Sequence, residues 1–305
     1  MTTIKNVAVL GATGNVGPAI TSALASSGFT VTVLTRSAQP PSNLPPNVTV
    51  RTVDYTSRDS LSSALAGQDA VISALAGAAV PLQKQVIDVA AEVGVKRFVP
   101  SEFGINTRKA RGSAIGKILG GKIEVVDYLK EKEGSGLTWT GVATGLFFDW
   151  GLERTGLGVI NLKERTSTVV DSGNERFQTS TLAQVGRAVV HVLQHPDETA
   201  NKYISTSSFN VSQNEIISAV EDLTGTKFPV TARQSSADLQ KSGEEKLAKG
   251  DWTAFFDLLR AWNNGDGRGN ALSEEESGNK LIGLEGEDLK TVLREWLRKE
   301  GVLKA

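Results

Sequence analysis

The stretch that decides the fold is Gly11-Ala12-Thr13-Gly14-Asn15-Val16-Gly17, between an apolar run at residues 4–10 and a helix-like run at 16–27. A glycine turn between a strand and a helix lets the backbone turn tightly and approach a phosphate closely. The helix N-terminus adds oriented N–H groups and a partial positive charge. A glycine turn without a ligand is the alternative, and the strand–turn–helix context disfavours it. We predict that the pyrophosphate of a dinucleotide contacts Gly11, Thr13, Gly14, Asn15 and Val16.

Around this loop, apolar runs of strand length alternate with amphipathic runs of helix length. The predicted strands are residues 4–10, 30–35, 48–53, 70–74, 97–100 and 137–142. The predicted helices are residues 16–27, 60–66, 82–93 and 118–133. Such alternation is typical of parallel strands joined by right-handed crossovers. The first half therefore predicts an α/β fold, a Rossmann-type doubly wound parallel sheet.

The pattern changes after Gly145. Later predicted strands are 167–170 and 202–206, and later predicted helices are 181–194, 212–224 and most of 235–303, with a break at 263–270. Ser212 precedes Glu215 by three residues, which is the spacing of a capping box. We predict an NAD(P)-binding Rossmann domain at 1–150, to which 181–206 returns. Residues 151–305 then form mainly a smaller, partly interleaved substrate-binding lobe.

Composition limits the chemistry of the chain. Its 305 residues carry a net charge of −1, two histidines and no cysteine. Disulfides, thiolate nucleophiles and metal–sulfur sites are excluded, and nothing favours a nucleic-acid partner. His191 and His195 could share a helix face, but no third ligand accompanies them, so no metal is expected. No apolar run approaches the ~20 residues of a membrane span. We expect a cytoplasmic monomer or homodimer whose partner is a small-molecule substrate.

The second strand ends in Leu34-Thr35-Arg36-Ser37. An NAD site would place Asp or Glu there for the ribose 2′-hydroxyl. Arg36 instead offers a bidentate fork for a 2′-phosphate, which favours NADP as the cofactor. A solvated surface arginine is the alternative.

The other carboxyl ends of the strands supply further candidate cofactor contacts, since ligands of doubly wound sheets bind at this edge. They are Asp54, Ala74, Leu75, Ser101 and Thr144. For Ser101, a strand-end residue that bonds the local backbone is an equally good interpretation, and for Asp54 so is an ordinary loop aspartate.

With these residues identified, the chain resembles the NmrA-like group of atypical short-chain dehydrogenases, particularly its isoflavone reductase-like branch. The resemblance depends on the glycine loop, Arg36, Lys122 and three blocks: Asp69-Ala70-Val71-Ile72-Ser73, Arg97-Phe98-Val99-Pro100-Ser101-Glu102-Phe103-Gly104 and Thr144-Gly145-Leu146-Phe147-Phe148-Asp149-Trp150-Gly151. It covers roughly the first 225 residues. It implies a Rossmann domain with a small substrate domain, and NADPH-dependent reduction of aromatic or phenylpropanoid-type substrates.

Two features depart from the plant reductases of this branch. Those enzymes carry a second basic residue after the 2′-phosphate arginine, whereas residues 38–47 contain no Lys or Arg here. They also show Asn and Cys near the end of the sixth strand, where this chain has Thr144 and Gly145. A different substrate is therefore expected.

The catalytic candidate is Lys122, which the resemblance aligns with the reductases' lysine. No tyrosine stands four residues earlier, where Ile118 is found. The formal Tyr-x-x-x-Lys match at Tyr128 and Lys132 begins ten residues into the predicted helix, ~15 Å from the ligand edge. Lys122 could hydrogen-bond the nicotinamide ribose and donate a proton to a carbonyl or quinone-methide oxygen as hydride arrives. A surface lysine is the alternative, and Lys117 is the nearest competitor.

Four aromatic residues near the predicted site are candidates for a substrate pocket: Phe103, Phe147, Phe148 and Trp150. Packing between the domains is an equally good interpretation for each of them. Two functions follow from the sequence: an NADPH-dependent oxidoreductase with Lys122 as proton donor or polariser, and a non-catalytic dinucleotide-binding redox sensor.

Overall fold

The elements of the chain are given for residues 2–39 and 44–304, the ranges that the computed structural model describes. The strands are β1 Asn6–Leu10, β2 Thr30–Thr35, β3 Thr49–Thr52, β4 Ala70–Ser73, β5 Arg97–Val99, β6 Thr138–Ala143, β7 Leu146–Phe147, β8 Ile160–Asn161, β9 Thr166–Val170, β10 Arg176–Ser180, β11 Lys202–Ser205, β12 Phe209–Ser212 and β13 Val230–Gln234. The helices are α1 Gly17–Ser26, α2 Arg58–Leu65, α3 Gln83–Glu92, α4 Thr107–Ala110, α5 Ala114–Ile118, α6 Gly120–Glu131, α7 Phe148–Thr155, α8 Leu182–Gln194, α9 Gln213–Thr224, α10 Ser236–Ala248, α11 Ala254–Asn264 and α12 Leu289–Lys299. Short 3-10 helices occur at Gly77–Leu82 and Gly156–Gly158.

The main sheet has the strand order β11-β6-β5-β4-β1-β2-β3, seven strands within the described ranges. Every neighbouring pair is parallel. The order reverses between β1 and β4, and a doubly wound sheet binds its ligand at the carboxyl ends beside such a reversal. The predicted Rossmann-type fold is confirmed.

Both faces of the sheet are covered by helices. On one face, α1 and α8 bury Ile20, Leu24 and Val189 against the strands. On the other face, α2, α3 and α6 contribute Leu61, Val86 and Val126. Burial on both sides explains why strands such as Val7–Leu10 read as continuous apolar runs.

The remaining strands lie outside the main sheet. Within the described residues, β12, β10 and β7 form one small sheet, and β13, β9 and β8 form another. A separate apolar cluster unites them with α7, α9 and α12 through Phe148, Phe177, Val211, Ile216 and Trp296. We call this region the second lobe.

Helix ends follow local side-chain chemistry. The helix predicted at 60–66 begins at Arg58, because the Ser57 hydroxyl accepts from the Ser60 N–H and caps it. The predicted capping box is present, with Ser212 and Glu215 bonded reciprocally. The helix predicted from residue 118 begins at Gly120, after the short α5.

The break predicted at 263–270 is too short, since α11 ends at Asn264 and α12 starts only at Leu289. Gly267, Gly269 and Gly283 adopt positive φ of 76°, 64° and 62°, a conformation that no helix accommodates. The Glu175 carboxylate accepts hydrogen bonds from the N–H groups of Gly267 at 2.8 Å and Gly269 at 2.7 Å. Because these glycines prevent a continuous helix, the chain forms an irregular segment here, and the Glu175 carboxylate anchors it.

Candidate active site

The glycine loop has the geometry that a close approach of the backbone requires. Gly11 has a φ of +77°, and a Cβ there would lie 2.6 Å from the carbonyl oxygen of Ala74. A Cβ on Gly17 would lie 2.1 Å from the carbonyl oxygen of Gly11. The Gly14 N–H donates to the Gly11 carbonyl at 3.0 Å and closes the turn. Glycine at positions 11 and 17 is thus dictated by contacts between the loop, α1 and the end of β4.

The first turn of α1 fits an anion. No side chain caps the helix at Val16, and its first turn contains no acidic residue. Thr13, Gly14 and Asn15 are exposed next to it, whereas Val16 is buried. Free N–H groups and the positive end of the helix dipole favour a phosphate at this place. The residues present therefore fit the pyrophosphate of a dinucleotide.

Arg36 is exposed just beyond the end of β2. Its neighbour is Tyr55, whose hydroxyl donates to the Leu34 carbonyl at 2.7 Å. Burial raises the pKa of Tyr55 to about 12, and the positive charge of Arg36 opposes that rise. A guanidinium at this edge is available to a 2′-phosphate. Residues 40–43 of the stretch at 38–47 lie outside the described residues.

Asp54 and Ser101 form local hydrogen bonds. One Asp54 carboxylate oxygen accepts from the N–H and the hydroxyl of Thr56, at 2.8 and 2.7 Å. The Ser101 hydroxyl donates to the Leu75 carbonyl at 2.6 Å. The Ser101 bond to a backbone carbonyl matches the alternative interpretation of that residue, and the contact of both residues with a cofactor stays a prediction.

Thr144 and Gly145 lie at the carboxyl end of β6. The Thr144 side chain is fully buried, and its hydroxyl has no hydrogen-bond partner among the described residues. Gly145 has a φ of +70°, and a Cβ there would lie 2.1 Å from the Gln178 carbonyl oxygen. The structure thus explains the glycine by contact with β10, and it leaves the threonine hydroxyl free at the edge where the cofactor is predicted.

Lys122 is the third residue of α6, the helix that starts at the carboxyl edge of the sheet between β5 and β6. Its side chain is half-buried, and burial lowers the pKa of its amino group, while the charge of Glu102 acts in the opposite direction. Ile118 ends the separate helix α5. Lys117, the competitor, is exposed on α5. The two lysines thus differ in burial: Lys122 is half-buried and Lys117 is exposed.

Tyr128 and Lys132 are engaged elsewhere. The Tyr128 hydroxyl donates to one oxygen of Asp88 on α3 at 2.6 Å, and the Lys132 amino group lies 2.7 Å from the same oxygen. Tyr128 lies eight residues after the start of α6, which corresponds to ~12 Å along the axis. The two residues of the formal Tyr-x-x-x-Lys match therefore join the end of α6 to α3.

One buried acid at this edge, Glu102, was not predicted from the sequence. Glu102 is 1% exposed, and one of its oxygens accepts from the hydroxyls of Tyr203 on β11 and Thr107 on α4, each at 2.5 Å. Its other oxygen is buried with no partner among the described residues. Burial raises the pKa of the Glu102 carboxyl, and the charge of Lys122 opposes this. The only signal for this residue in the sequence was the position of an acid three residues after the apolar run of β5.

The four aromatic residues of the predicted pocket differ in burial. Phe148 is fully buried and packs edge-to-face on Phe209, with ring centroids 4.8 Å apart, in the core of the second lobe. Phe103 is 5% exposed and belongs to the core on one face of the main sheet. Phe147 and Trp150 are half-buried, and the Arg154 guanidinium lies 5.3 Å from the Trp150 ring centroid. The positions of Phe148 and Phe103 are therefore explained by packing in apolar cores.

A small cavity lies beside Gly145. Its lining includes Asn106, Gln178, Trp262 and Asn270, so α11 and the segment after it close it from above. Its volume is about 20 Å³, room for about one water molecule. In this conformation α11 and the segment after it pack closely against the end of β6.

The two histidines have structural contacts. Nδ1 of His191 lies 2.7 Å from the Ile282 carbonyl oxygen, and Nδ1 of His195 lies 2.9 Å from the His191 carbonyl oxygen. Residues 2–39 and 44–304 hold no cluster of three metal-ligating side chains. No helix in the same ranges combines the length and apolarity needed to cross a bilayer.

Comparison with known proteins supplies the family. The sequence profile described as the NmrA-like family matches residues 3–242. The chain belongs to the NmrA-like family. Oxidoreductase aprR of Aspergillus flavus is 37% identical over 286 residues, covering 92% of this chain and 95% of its own. An isoflavone reductase homolog of Zea mays is 30% identical, covering 73% of this chain and 76% of its own. These relatives group the chain with the oxidoreductases of the family.

Solved structures support the same fold. AtPrR2, determined with NADP+ and (+)pinoresinol, superposes with a TM-score of 0.77 at 21% identity, over 96% of this chain and 99% of that one. The leucoanthocyanidin reductase–NADPH complex from Vitis vinifera also gives 0.77, at 18% identity, with coverage of 96% and 99%. Both neighbours hold a nicotinamide dinucleotide.

Proposed function

We propose that this protein is an NADPH-dependent reductase of a small aromatic, carbonyl, enone or quinone-type substrate. The observation that carries the proposal is Lys122, half-buried in the first turn of α6 at the ligand edge of the sheet. Membership of a family that includes oxidoreductases supports the proposal. The glycine loop, whose geometry fits a pyrophosphate, supports it as well.

The cofactor would be held at two places. The N–H groups after Gly11 and at the start of α1 would bind the pyrophosphate, and Arg36 would pair with the 2′-phosphate. Bound NADPH supplies the hydride. The preference for NADP over NAD depends on Arg36, since β2 ends in Leu34-Thr35-Arg36-Ser37 without an acid for a ribose 2′-hydroxyl.

Lys122 would supply the proton. Its ammonium group would donate a hydrogen bond to the substrate oxygen and transfer the proton as that oxygen gains negative charge. Burial lowers the pKa of Lys122 and so brings it closer to the range in which an acid donates efficiently near neutral pH. With Ile118 four residues before it, the lysine would act without a tyrosine partner.

The second lobe would carry substrate specificity. Next to it, α11 and the segment after it approach the carboxyl end of β6 through Trp262 and Asn270, which line the cavity beside Gly145. We assign residues 1–150 to cofactor binding, together with 181–206, because β11 pairs with β6 and α8 packs on α1. Residues outside these ranges would shape the substrate site.

One observation favours a second function, a non-catalytic dinucleotide-binding redox sensor. The cavity beside Gly145 has a volume of about 20 Å³, far below the ~300 Å³ at which ligand pockets begin. A reductase that binds its substrate in this cavity would have to move α11 to admit it, whereas a sensor needs no such movement.

A substrate screen separates these functions. Purified protein is mixed with NADPH and panels of quinones, aromatic enones and aldehydes, and the loss of NADPH absorbance is followed. Turnover of one class that Lys122→Ala abolishes supports the reductase. Tight NADPH binding with no turnover across the panels supports the sensor.

A further inference from the structure

A groove runs along β11, the strand that ends the main sheet within the described ranges. Helix α4 forms its opposite wall, and the volume of the groove is about 570 Å³. Tyr203 on β11 is tied to α4, because the Thr107 N–H donates to its hydroxyl at 3.2 Å. None of the residues assigned above to NADPH binding or to proton transfer lines this groove. The proposed reduction therefore leaves it without a role.

The outer side of β11 presents main-chain groups to the groove. Successive residues of a strand turn their N–H and C=O groups to opposite sides. The Thr206 N–H donates to the Ala143 carbonyl of β6 at 2.8 Å. The Ser205 carbonyl accepts from the Gly278 N–H on the other side at 2.7 Å, so Tyr203 also presents its N–H and C=O to that side. Since no other backbone bond reaches this side from the described residues, β11 has a free edge that can pair with another extended segment.

The charge of the groove determines which kind of segment fits. Three of its seven lining residues are cations, Arg108, Lys109 and Lys202, and none is acidic. Lys109 pairs with Glu276 at 2.8 Å, whereas Arg108 and Lys202 are exposed and form no ion pair within the described ranges. The Arg108 guanidinium lies 5.7 Å from the centroid of the Tyr203 ring, directly beside the free edge. Two cations are therefore available to carboxylates of an incoming segment.

The chain itself shows this kind of contact at one end of the groove. Ser277 forms a parallel bridge with Ser205 at the end of β11. The residue before it, Glu276, forms the ion pair with Lys109. The residues before Glu276 form a turn, so the pairing stops there. An acidic side chain next to a backbone pairing thus fits this edge, and the rest of the edge is open to a further segment.

We propose that the groove between α4 and β11 binds an extended acidic segment of a partner protein. The segment would add to the free edge of β11 through main-chain hydrogen bonds with Tyr203. Its carboxylates would pair with Arg108 and Lys202. Main-chain bonds give such a complex its affinity, and the two cations select an acidic sequence. This binding is independent of the proposed reduction.

Fluorescence anisotropy with labelled peptides tests the proposal on the whole protein. The probe is the peptide Glu-Thr-Glu-Val-Glu-Thr-Glu carrying fluorescein, whose β-branched residues favour an extended chain. The wild type is expected to bind it at low ionic strength, and to bind the same peptide with glutamine in place of glutamate much more weakly. A third peptide carries N-methyl groups on its central residues. It should also bind more weakly than the probe, because it lacks main-chain donors for the edge of β11.

Lys202→Glu and Arg108→Glu should each weaken binding of the acidic peptide by about three- to tenfold, since each replaces an attraction by a repulsion. Both side chains are exposed, so the fold should tolerate either change. The matched control is Lys163→Glu, an equal change of charge in the exposed turn between β8 and β9. Its affinity for the peptide should equal that of the wild type.

Absence of binding by the wild type overturns the proposal, as does an equal loss of affinity in Lys163→Glu. Equal binding of the N-methylated peptide overturns the addition of a strand. Two other results would identify a different occupant and so overturn the proposal as well. If the peptide binds only to Glu276→Gln, the acidic turn of the chain itself fills the groove. If the wild type sediments as a dimer that Lys202→Glu dissociates, a second copy covers the edge.

Discussion

The carbonyl oxygen of Ala74 lies where a side chain on Gly11 would have to begin, 2.6 Å from the position of its Cβ. Gly11 also has a φ of +77°, which L residues rarely adopt. Gly11→Ala should therefore lower the free energy of unfolding by about 1–3 kcal/mol. Chemical denaturation followed by circular dichroism measures this loss.

Gly14→Ala is the matched variant. A Cβ on Gly14 would lie 3.4 Å from the Gly11 carbonyl oxygen, which is ordinary contact. Its stability should stay within about 0.5 kcal/mol of the wild type. Affinity for NADPH should nevertheless fall, because the methyl group occupies space that a pyrophosphate needs. Unchanged affinity in Gly14→Ala would show that the loop is not the phosphate site.

Arg36 sets the prediction for cofactor choice. Arg36→Ala should weaken NADPH binding by about 1.5–3 kcal/mol, the value of a charge-assisted hydrogen bond, and leave NADH nearly unchanged. Isothermal titration with both cofactors on both proteins measures the difference. Equal affinity of the wild type for NADPH and NADH would refute the role assigned to Arg36.

Gly186 tests how α8 packs on α1. A Cβ there would lie 2.7 Å from the Ala19 carbonyl oxygen on α1. Gly186→Ala should destabilise the fold by about 1–3 kcal/mol through overpacking. A Cβ on Gly120 would have no neighbour within 4 Å. Gly120→Ala should therefore leave the free energy of unfolding unchanged or raise it by up to about 1 kcal/mol. Thermal unfolding compares the two, and a stable Gly186→Ala would contradict this packing.

The pH dependence of turnover follows from Lys122. An acid donates only when protonated, so kcat should fall as pH rises through the pKa of this lysine. Since burial lowers that pKa, the fall should come below the ~10.4 of an ordinary lysine. Lys117→Ala should keep the same alkaline limb. A guanidinium does not deprotonate in this pH range. If the decrease in kcat at alkaline pH persists in Lys122→Arg, the titrating group is therefore not Lys122.

Much of the Rossmann half could be predicted because its signals are local. Strand β2 occupies the predicted residues 30–35, and α1 differs from its prediction by one residue at each end. Apolar runs, glycine turns and the alternation of strand and helix all lie within a few residues of one another. Such signals do not require knowledge of distant contacts.

The second lobe and the environment of the buried acid Glu102 could not be predicted in the same way. Strand β10 exists because it pairs with β12 across some 30 residues, and β7 is only two residues long. Phe148 follows the strand as a pocket residue would, but its contact with Phe209 places it in a core. Glu102 and Tyr203 meet across 101 positions, and only the parallel pairing of β11 with β6 brings them together.

We propose that the proton comes from Lys122 and not from Tyr128. The most direct measurement is kcat of Lys122→Ala and Tyr128→Phe on the best substrate from the screen, with NADPH saturating. We expect Lys122→Ala to lower kcat by about 10²–10⁴, the usual contribution of a positioned acid. Tyr128→Phe should retain nearly full turnover, since its hydroxyl bonds Asp88 at 2.6 Å on another helix. Loss of activity in Tyr128→Phe with full activity in Lys122→Ala would contradict the assignment.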